Sequence, residues 1–271
     1  YIVYTGNPKN YMLELYNYPP SLLGSGGTCP SHNLVCAFEK KDGSANDMQS
    51  DTRFENMDPR FDVTIVRDGS ILGARGAIDI SDPNSQDAIG KVNLRSTVTG
   101  YYLRKFLDTN INLSAQTITS TYHYFPVIRL ADIYLLYAEA MNEAYGPNDA
   151  ADLGWTALEA LNKVRTRAGI TVPYTTTSQT EMTKKIRNER RVELAFEDQR
   201  YFDLRRWKTA EKDLNQPLMG FRIERQDNGV VSTHEFVVDG QRKFNTKMYY
   251  SPIPYSEMQL NTNLVQNPGW R

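Results

Sequence analysis

The segment Ile186–Trp207, IRNERRVELAFEDQRYFDLRRW, decides the fold because its charges repeat with helical spacing. Glu189, Glu193 and Glu197 follow one another at intervals of four residues, which places them one above another on a helix. Six arginines of the segment surround these glutamates in the sequence. A long charged helix is therefore the first element that the sequence predicts.

Signals at both sides of the segment define the limits of this helix. Ser178 and Glu181 have the spacing of a capping box, so the helix is expected to start near Ser178. We expect it to continue unbroken to about Thr209. Helical spacing puts Tyr201 and Leu204 on the same face as the last two glutamates, so these carboxylates lie in a partly apolar stripe.

Clustered carboxylates suggest three interpretations. A di-metal site would need Glu-x-x-His pairs on facing helices, but no histidine occurs between His123 and His234. A glycosidase could use Glu193 or Glu197 in a carboxylate pair, yet the neighbouring arginines would lower the pKa of a general acid. We favour the third interpretation, an arginine–glutamate network that fixes the helix against its neighbours.

Upstream of this helix, the apolar pattern predicts a helix hairpin. Apolar residues recur at spacings of three and four over 130–144, with Pro126 expected directly before the first helix and Gly146 ending it. A second helix is expected over 154–168, with Gly169 as its C-cap. The two helices should pack antiparallel, as in tetratricopeptide-type arrays.

The rest of the chain is predicted to be mostly irregular. Residues 1–125 should form loops and short strands, with strand candidates at 62–66 and 101–106. Residues 126–209 form the helical part. Residues 210–271 should form loops and a C-terminal tail.

Composition excludes several classes of function. A net charge of −1 argues against nucleic-acid binding, and no run of 18 apolar residues is present to span a bilayer. Nucleophile and P-loop motifs are absent, and we expect no cofactor and no metal. Cys29 and Cys36 remain open between free thiols, which we favour, and a small-loop disulfide.

Aromatic residues near the start of the chain are the candidate ligand contacts. The chain has 17 tyrosines, and rings on a rigid loop beside an amide suit sugar binding through stacking and hydrogen bonds. The candidates are Tyr11, Tyr16, Asn17 and Tyr18. Packing in the core or in a protein interface is the alternative interpretation for each ring.

Several segments, in order along the chain, resemble the SusD/RagB family of nutrient-binding lipoproteins. Residues 126–140, PVIRLADIYLLYAEA, look like the first C-terminal helix of that family, and 161–169, LNKVRTRAG, like the next. Residues 186–207 resemble its most recognisable block, and 252–258 with 266–270 resemble its C-terminal signature. The chain departs from the family at Cys36, often an acidic residue, and at Asp198-Gln199, often Gly-His.

This resemblance implies a mainly α fold of tetratricopeptide-like helix pairs with long irregular loops and a few short β-strands. It implies that residues 1–271 are the C-terminal portion of one SusD-like domain, a fragment without the half that carries the lipid-bearing cysteine. It further implies a lipid-anchored protein on the outer face of the outer membrane, with a SusC-like TonB-dependent transporter as partner.

Glycan binding and delivery to that transporter is the function that the resemblance implies, without enzymatic activity. Two alternatives stay open: a peptide-binding lipoprotein of the same family, and a helical-repeat scaffold for protein interactions. The sequence does not say which glycan or peptide binds.

Overall fold

The computed structural model describes the backbone of residues 2–6 and the whole of residues 8–73, 76–90 and 92–270. Helices dominate these ranges, and the strands pair into two-stranded antiparallel sheets, β1 with β4, β2 with β3 and β5 with β6. The helices are α1 Met12–Asn17, α2 His32–Val35, α3 Pro59–Thr64, α4 Leu130–Tyr145, α5 Ala157–Ala168, α6 Gln179–Glu193, α7 Gln199–Arg206, α8 Ala210–Leu214 and α9 Tyr255–Leu260. The strands are β1 Ile2–Gly6, β2 Ile65–Val66, β3 Tyr102–Leu103, β4 Tyr124–Arg129, β5 Leu218–Arg225 and β6 Val231–Asp239, with 3₁₀ turns at Pro20–Leu22 and Thr246–Tyr249.

The helices α4, α5 and α6 pack around one apolar cluster. Leu135, Leu161 and Met182, one from each helix, are fully buried in it. The backbone N–H of Leu158 donates to the carbonyl of Pro147, which joins the end of α4 to the start of α5. The predicted antiparallel hairpin is therefore present, and burying each such side chain contributes roughly 1.5–3 kcal/mol to folding.

The first helix of the hairpin begins later than predicted. Pro126 lies within β4, opposite Tyr4 of β1 and beside a shift in strand register between Val3 and Tyr4. A proline, which has no N–H to donate, is tolerated in a strand at such an irregularity. The strand therefore continues to Arg129, and α4 begins at Leu130. The prediction that Pro126 directly precedes the helix is wrong.

The second helix of the hairpin has the predicted end and a later start. Thr156 and Glu159 form a reciprocal capping box, so α5 begins at Ala157 and not at the predicted Gly154. Gly169 is the C-cap, with a φ of +91° that favours glycine. The end of the helix is thus decided by a residue that the sequence identifies directly.

The predicted long charged helix is two helices. α6 ends at Glu193 and α7 begins at Gln199, and between them Phe196 and Asp198 have φ angles of +63° and +60°. Lys105 donates to two backbone carbonyls of this turn, at 3.2 and 2.8 Å. Because a distant cation takes these acceptors, the turn does not need the amides that an unbroken helix would supply.

The strand predicted over 62–66 is mostly helix. Asp58 accepts a hydrogen bond from the backbone N–H of Arg60 at 2.9 Å and Pro59 fills the first helical position, so α3 covers Pro59–Thr64. Only Ile65–Val66 is strand, paired with β3 inside the predicted 101–106 candidate. The aspartate–proline helix start thus overrides the β-branched residues that follow it.

A β-hairpin lies in the part predicted as loops. β5 and β6 pair in antiparallel register from Leu218–Asp239 to Arg225–Val231. The inner side of β5 reaches the core through Phe221, which is buried with Phe38, Phe61 and Tyr101. This cluster attaches the irregular N-terminal part of the chain to the hairpin.

Candidate functional site

The glutamates of the charged segment lie in a buried network of ion pairs. Glu193 accepts hydrogen bonds from three arginines, Arg60 at 2.8 Å, Arg129 at 2.5 Å and Arg167 at 2.5 Å. These arginines come from α3, β4 and α5. One carboxylate therefore ties α6 to three other elements, as the network interpretation predicts.

The neighbouring glutamates extend the same network along the chain. Glu189 pairs with Arg165 of α5 at 3.0 Å. Glu197, in the turn after α6, pairs with Arg129 at 2.6 Å and with Lys105 at 2.5 Å. Side chains from distant parts of the sequence thus meet at three glutamates that are spaced four residues apart.

The segment's own arginines have other partners. Arg190 donates to Asp132 of α4 at 2.8 Å and to Asp203 of α7 at 2.7 Å. Arg206 pairs with Glu139 of α4. These pairs fix α7 to α6 and α4. The segment therefore forms two sets of ion pairs: its glutamates bind cations of α3, β4 and α5, and its arginines bind carboxylates of α4 and α7.

The network makes Glu193 unsuited to general acid catalysis. Burial raises its pKa, but the charges and hydrogen bonds of Arg129 and Arg60 outweigh burial and lower the pKa to about 2. A general acid must hold a proton near neutral pH. Glu193 is instead held as an anion, which agrees with a structural role.

The four predicted ligand residues are divided between core and surface. Tyr18 is buried and donates from its hydroxyl to the carbonyl of Asp108 at 2.7 Å. Asn17 is buried as well. Tyr16 is exposed and its ring lies against Gly27, and Tyr11 packs at the edge of an apolar cluster. Tyr16 and Tyr11 are thus the two whose rings a ligand could reach.

A concave surface lies elsewhere, between α2, the α6–α7 turn, α7, α8 and the β5–β6 hairpin. We call it the groove, and its volume is about 890 Å³, within the range of small-molecule sites. It is lined by Ser31, His32, Asn33, Leu34, Cys36, Arg191, Leu194, Ala195, Phe196, Asp198, Arg200, Tyr201, Phe202, Leu204, Asp213, Leu214, Gln216, Leu218, Met219, Glu235 and Arg242.

Aromatic rings on α7 stand at this groove. Tyr201 and Phe202 are 48% and 63% exposed, and their centroids lie 5.5 Å apart in an edge-to-face arrangement. The sequence pattern predicts Tyr201 on the glutamate face of one long helix. The break after Glu193 reorients α7, so the ring lines the groove instead of the network.

Charged groups of the groove are nearly balanced. Arg200 and Asp213 lie 3.5 Å apart, and the side chains of both are slightly more than one-third exposed. Arg191 donates to the carbonyl of Asn33 at 2.7 Å. Burial and the nearby Arg200 lower the pKa of Arg191 to about 10. Together with Arg242, these cations face three carboxylates, those of Asp198, Asp213 and Glu235.

A histidine and a cysteine form part of the groove wall on α2. His32 is stacked on Phe221 with centroids 4.8 Å apart, and its Nε2 lies 3.4 Å from Glu235. Cys36 is a free thiol, as is Cys29. Burial and then the charge of Glu235 raise the pKa of Cys36 to about 11, so this thiol is not activated as a nucleophile.

Two features are absent from the part of the chain that the structure describes. No group of three or more His, Cys, Asp or Glu side chains is placed to hold a metal ion in the ranges given above. No helix in the same ranges has the length and apolar character to cross a membrane.

Comparisons with known proteins agree on one family. The model of the SusD family matches residues 3–270. SusD-like protein P25 of Formosa agariphila is 33% identical over 159 residues, which are 54% of this chain and 24% of that protein. SusD-like protein P2 of the same organism is 31% identical over 159 residues, 56% of this chain and 26% of that protein.

Solved structures show the same fold. A SusD-like protein of Bacteroides fragilis matches with a TM-score of 0.79 and 27% identity, over 100% of this chain and 54% of its own. A SusD-like carbohydrate binding protein of B. fragilis matches with a TM-score of 0.74 and 25% identity, over 93% and 51%. The chain therefore spans about half the length of these structures. The predicted fold class, mainly α with tetratricopeptide-like helix pairs, is confirmed.

Proposed function

Because this chain belongs to the SusD family, we propose that it binds an oligosaccharide at the cell surface and delivers it to a SusC-like TonB-dependent transporter of the outer membrane. The proposal includes a lipid anchor on the outer face of that membrane. Family membership supports all three elements, and one of the solved relatives is described as carbohydrate binding.

The groove is the observation that carries the ligand class. Sugar rings have apolar faces that stack on aromatic side chains, and hydroxyl groups that pair with amides, carboxylates and guanidinium groups. The groove offers both, with Tyr201 and Phe202 beside Asn33, Gln216 and Asp213. Its balanced charge suits the neutral part of a glycan better than a strongly charged ligand.

Tyr16 and Tyr11 are proposed as further ligand contacts. Tyr16 is exposed on the loop side of α1, whose backbone is fixed by hydrogen bonds between the carbonyls of Leu15, Tyr16 and Tyr18 and the amides of residues 25–27. A ring carried by such a fixed backbone loses little freedom when a sugar stacks on it. This support is independent of the groove.

Calorimetric titration of the protein with neutral oligosaccharides tests the proposal. Phe202→Ala and Tyr201→Ala should each weaken binding about two- to tenfold, because each removes one stacked ring. Tyr255→Ala is the matched control, since Tyr255 is an exposed ring on α9 outside the groove. Its affinity should equal that of the wild type.

Other outcomes separate the alternatives. Tight binding of peptides, with no binding of any oligosaccharide, would move the ligand class to peptides within the same family. If neither the wild type nor the Tyr201→Ala and Phe202→Ala variants bind sugar, but all of them bind the same protein partner, the interaction scaffold is favoured. Delivery is tested by co-purification of the protein with a SusC-like transporter expressed in the same cell, and the absence of a complex would remove the transport step from the proposal.

A further inference from the structure

We propose that a second site, a cleft beside the buried network, binds the anionic group of an acidic sugar, a carboxylate or a sulfate ester. The proposal rests on the proposed function, since it specifies the chemistry of the glycan. The cleft has a volume of about 320 Å³ and shares no lining residue with the groove. It is lined by Arg60, Val63, Thr64, Lys105, Phe106, Tyr124, Pro126, Arg129, Arg167, Val192, Glu193 and Glu197.

The network behind the cleft carries an excess of positive charge. Six cations and five carboxylates are linked through ion pairs of the described residues, which leaves one positive charge without a counterpart. Such an excess in a partly desolvated site attracts an anion. The cations are Arg60, Lys105, Arg129, Arg165, Arg167 and Lys185, and the carboxylates are Glu39, Asp58, Glu189, Glu193 and Glu197.

The hydrogen bonds of Lys105 identify its side chain as a charged ammonium group. Its Nζ donates three hydrogen bonds, to the carbonyls of Glu193 and Ala195 and to the carboxylate of Glu197. Three donors require the protonated form. The excess charge is therefore present at neutral pH.

The unused hydrogen-bond donors of the arginines show where a ligand can reach the excess positive charge. Arg60 and Arg129 are largely buried, and nearly all their N–H groups donate hydrogen bonds to carboxylates or to a backbone carbonyl. Arg167 donates one hydrogen bond, to Glu193, and its side chain is 60% exposed. A guanidinium group has five N–H donors. Arg167 thus has four left to offer a ligand anion at the mouth of the cleft.

The apolar residues of the cleft suit a sugar ring. Phe106 and the half-exposed Tyr124 line it together with the exposed Val63. The ring of Phe106 is held by Phe125, with centroids 5.6 Å apart. Aromatic rings and a guanidinium group that line the same cleft fit a sugar ring that carries a negative substituent, with the ring on the aromatics and the anion on Arg167.

Matched ligand pairs test the site. The wild-type protein is titrated with trigalacturonate and its neutral methyl ester, and with a galactose trisaccharide with and without a sulfate ester. The anionic member of at least one pair should bind about tenfold more tightly, and the preference should shrink as salt is raised from 20 to 300 mM. The pair that shows the preference identifies carboxylate or sulfate as the anion.

Variants assign the preference to Arg167. Arg167→Gln should abolish it, whereas Arg225→Gln, which removes the same charge from an exposed pair with Asp79, should keep it. The Tm of each variant confirms that the fold survives, since Glu193 retains Arg60 and Arg129.

Two negative outcomes are distinguishable. If neutral oligosaccharides bind but no anionic partner binds more tightly, or if Arg167→Gln keeps the preference, the anion site is wrong and the groove stands. If no saccharide of either kind binds, the proposed function itself fails.

Discussion

The buried network and the groove meet at one turn but use charge in opposite ways. In the turn after α6, Glu197 joins the network whereas Phe196 and Asp198 line the groove. Side chains of the network carboxylates are 3–4% exposed at Glu189, Glu193 and Glu197. Arg200 and Asp213 in the groove are 35% and 37% exposed. The same residue types are thus desolvated on one side of the turn and hydrated on the other.

This difference separates structural charge from recognition charge. A buried pair is fixed, because breaking it leaves an unpaired charge in a low-dielectric surrounding. A hydrated pair costs little to rearrange, so its groups are free to exchange partners with a ligand. The glutamates that look most like a catalytic centre in the sequence are therefore less adaptable than the charged groups of the groove.

Removal of one buried carboxylate should have the largest effect. Glu193→Gln leaves Arg60, Arg129 and Arg167 without their shared counter-charge, so we expect the free energy of unfolding to fall by roughly 3–5 kcal/mol. Urea denaturation at neutral pH measures this loss.

The matched change in the groove is Asp213→Asn. It breaks the pair with Arg200, which is more than one-third exposed on the aspartate side, so the expected cost is below about 1 kcal/mol. Equal losses in the two variants would contradict the division between structural and recognition charge.

Strong acid should remove the stabilisation that Glu193 contributes to the network. The pKa of Glu193 is lowered to about 2 from its ordinary 4.5, so its stabilisation is fully present above pH 4.5 and is lost as pH falls toward 2. That contribution is about 3 kcal/mol. The wild type should therefore lose more stability between pH 6 and pH 3 than Glu193→Gln, which has no proton to take up. Denaturation curves at pH 6 and pH 3 measure the two losses. An equal loss of unfolding free energy in the wild type and in Glu193→Gln would show that another group controls the stability in acid.

Much of the fold is predictable from local patterns. The hairpin follows from apolar spacing, and its end follows from Gly169. The break between α6 and α7 does not, because Lys105 and Arg129 satisfy its carbonyls from far along the chain. The strand around Pro126 depends likewise on a partner, β1, that lies more than one hundred residues away.

The site is harder to predict than the fold. The sequence correctly favours an ion-pair network, but the cations that serve the glutamates include Arg60, Lys105 and Arg129, which no local spacing relates to α6. The sequence does not predict the aromatic groove, because helical spacing places Tyr201 on the glutamate face of one continuous helix. One signal in the sequence does indicate the break between α6 and α7, since Asp198 stands where the family often has glycine, the residue that a left-handed turn favours.

Relief of backbone strain at that position should give the smallest effect. Asp198 has a φ of +60°, and a left-handed conformation costs a non-glycine residue on the order of 1 kcal/mol. Asp198→Gly should therefore raise the free energy of unfolding by about 0.5 kcal/mol after glycine's own entropy cost is subtracted. Ala195→Gly is the control, because Ala195 lies in the same turn without a positive φ and should lose stability. A loss in both variants would mean that Asp198 stabilises the turn through its side chain, and that the groove wall, like the network, depends on a fixed charge.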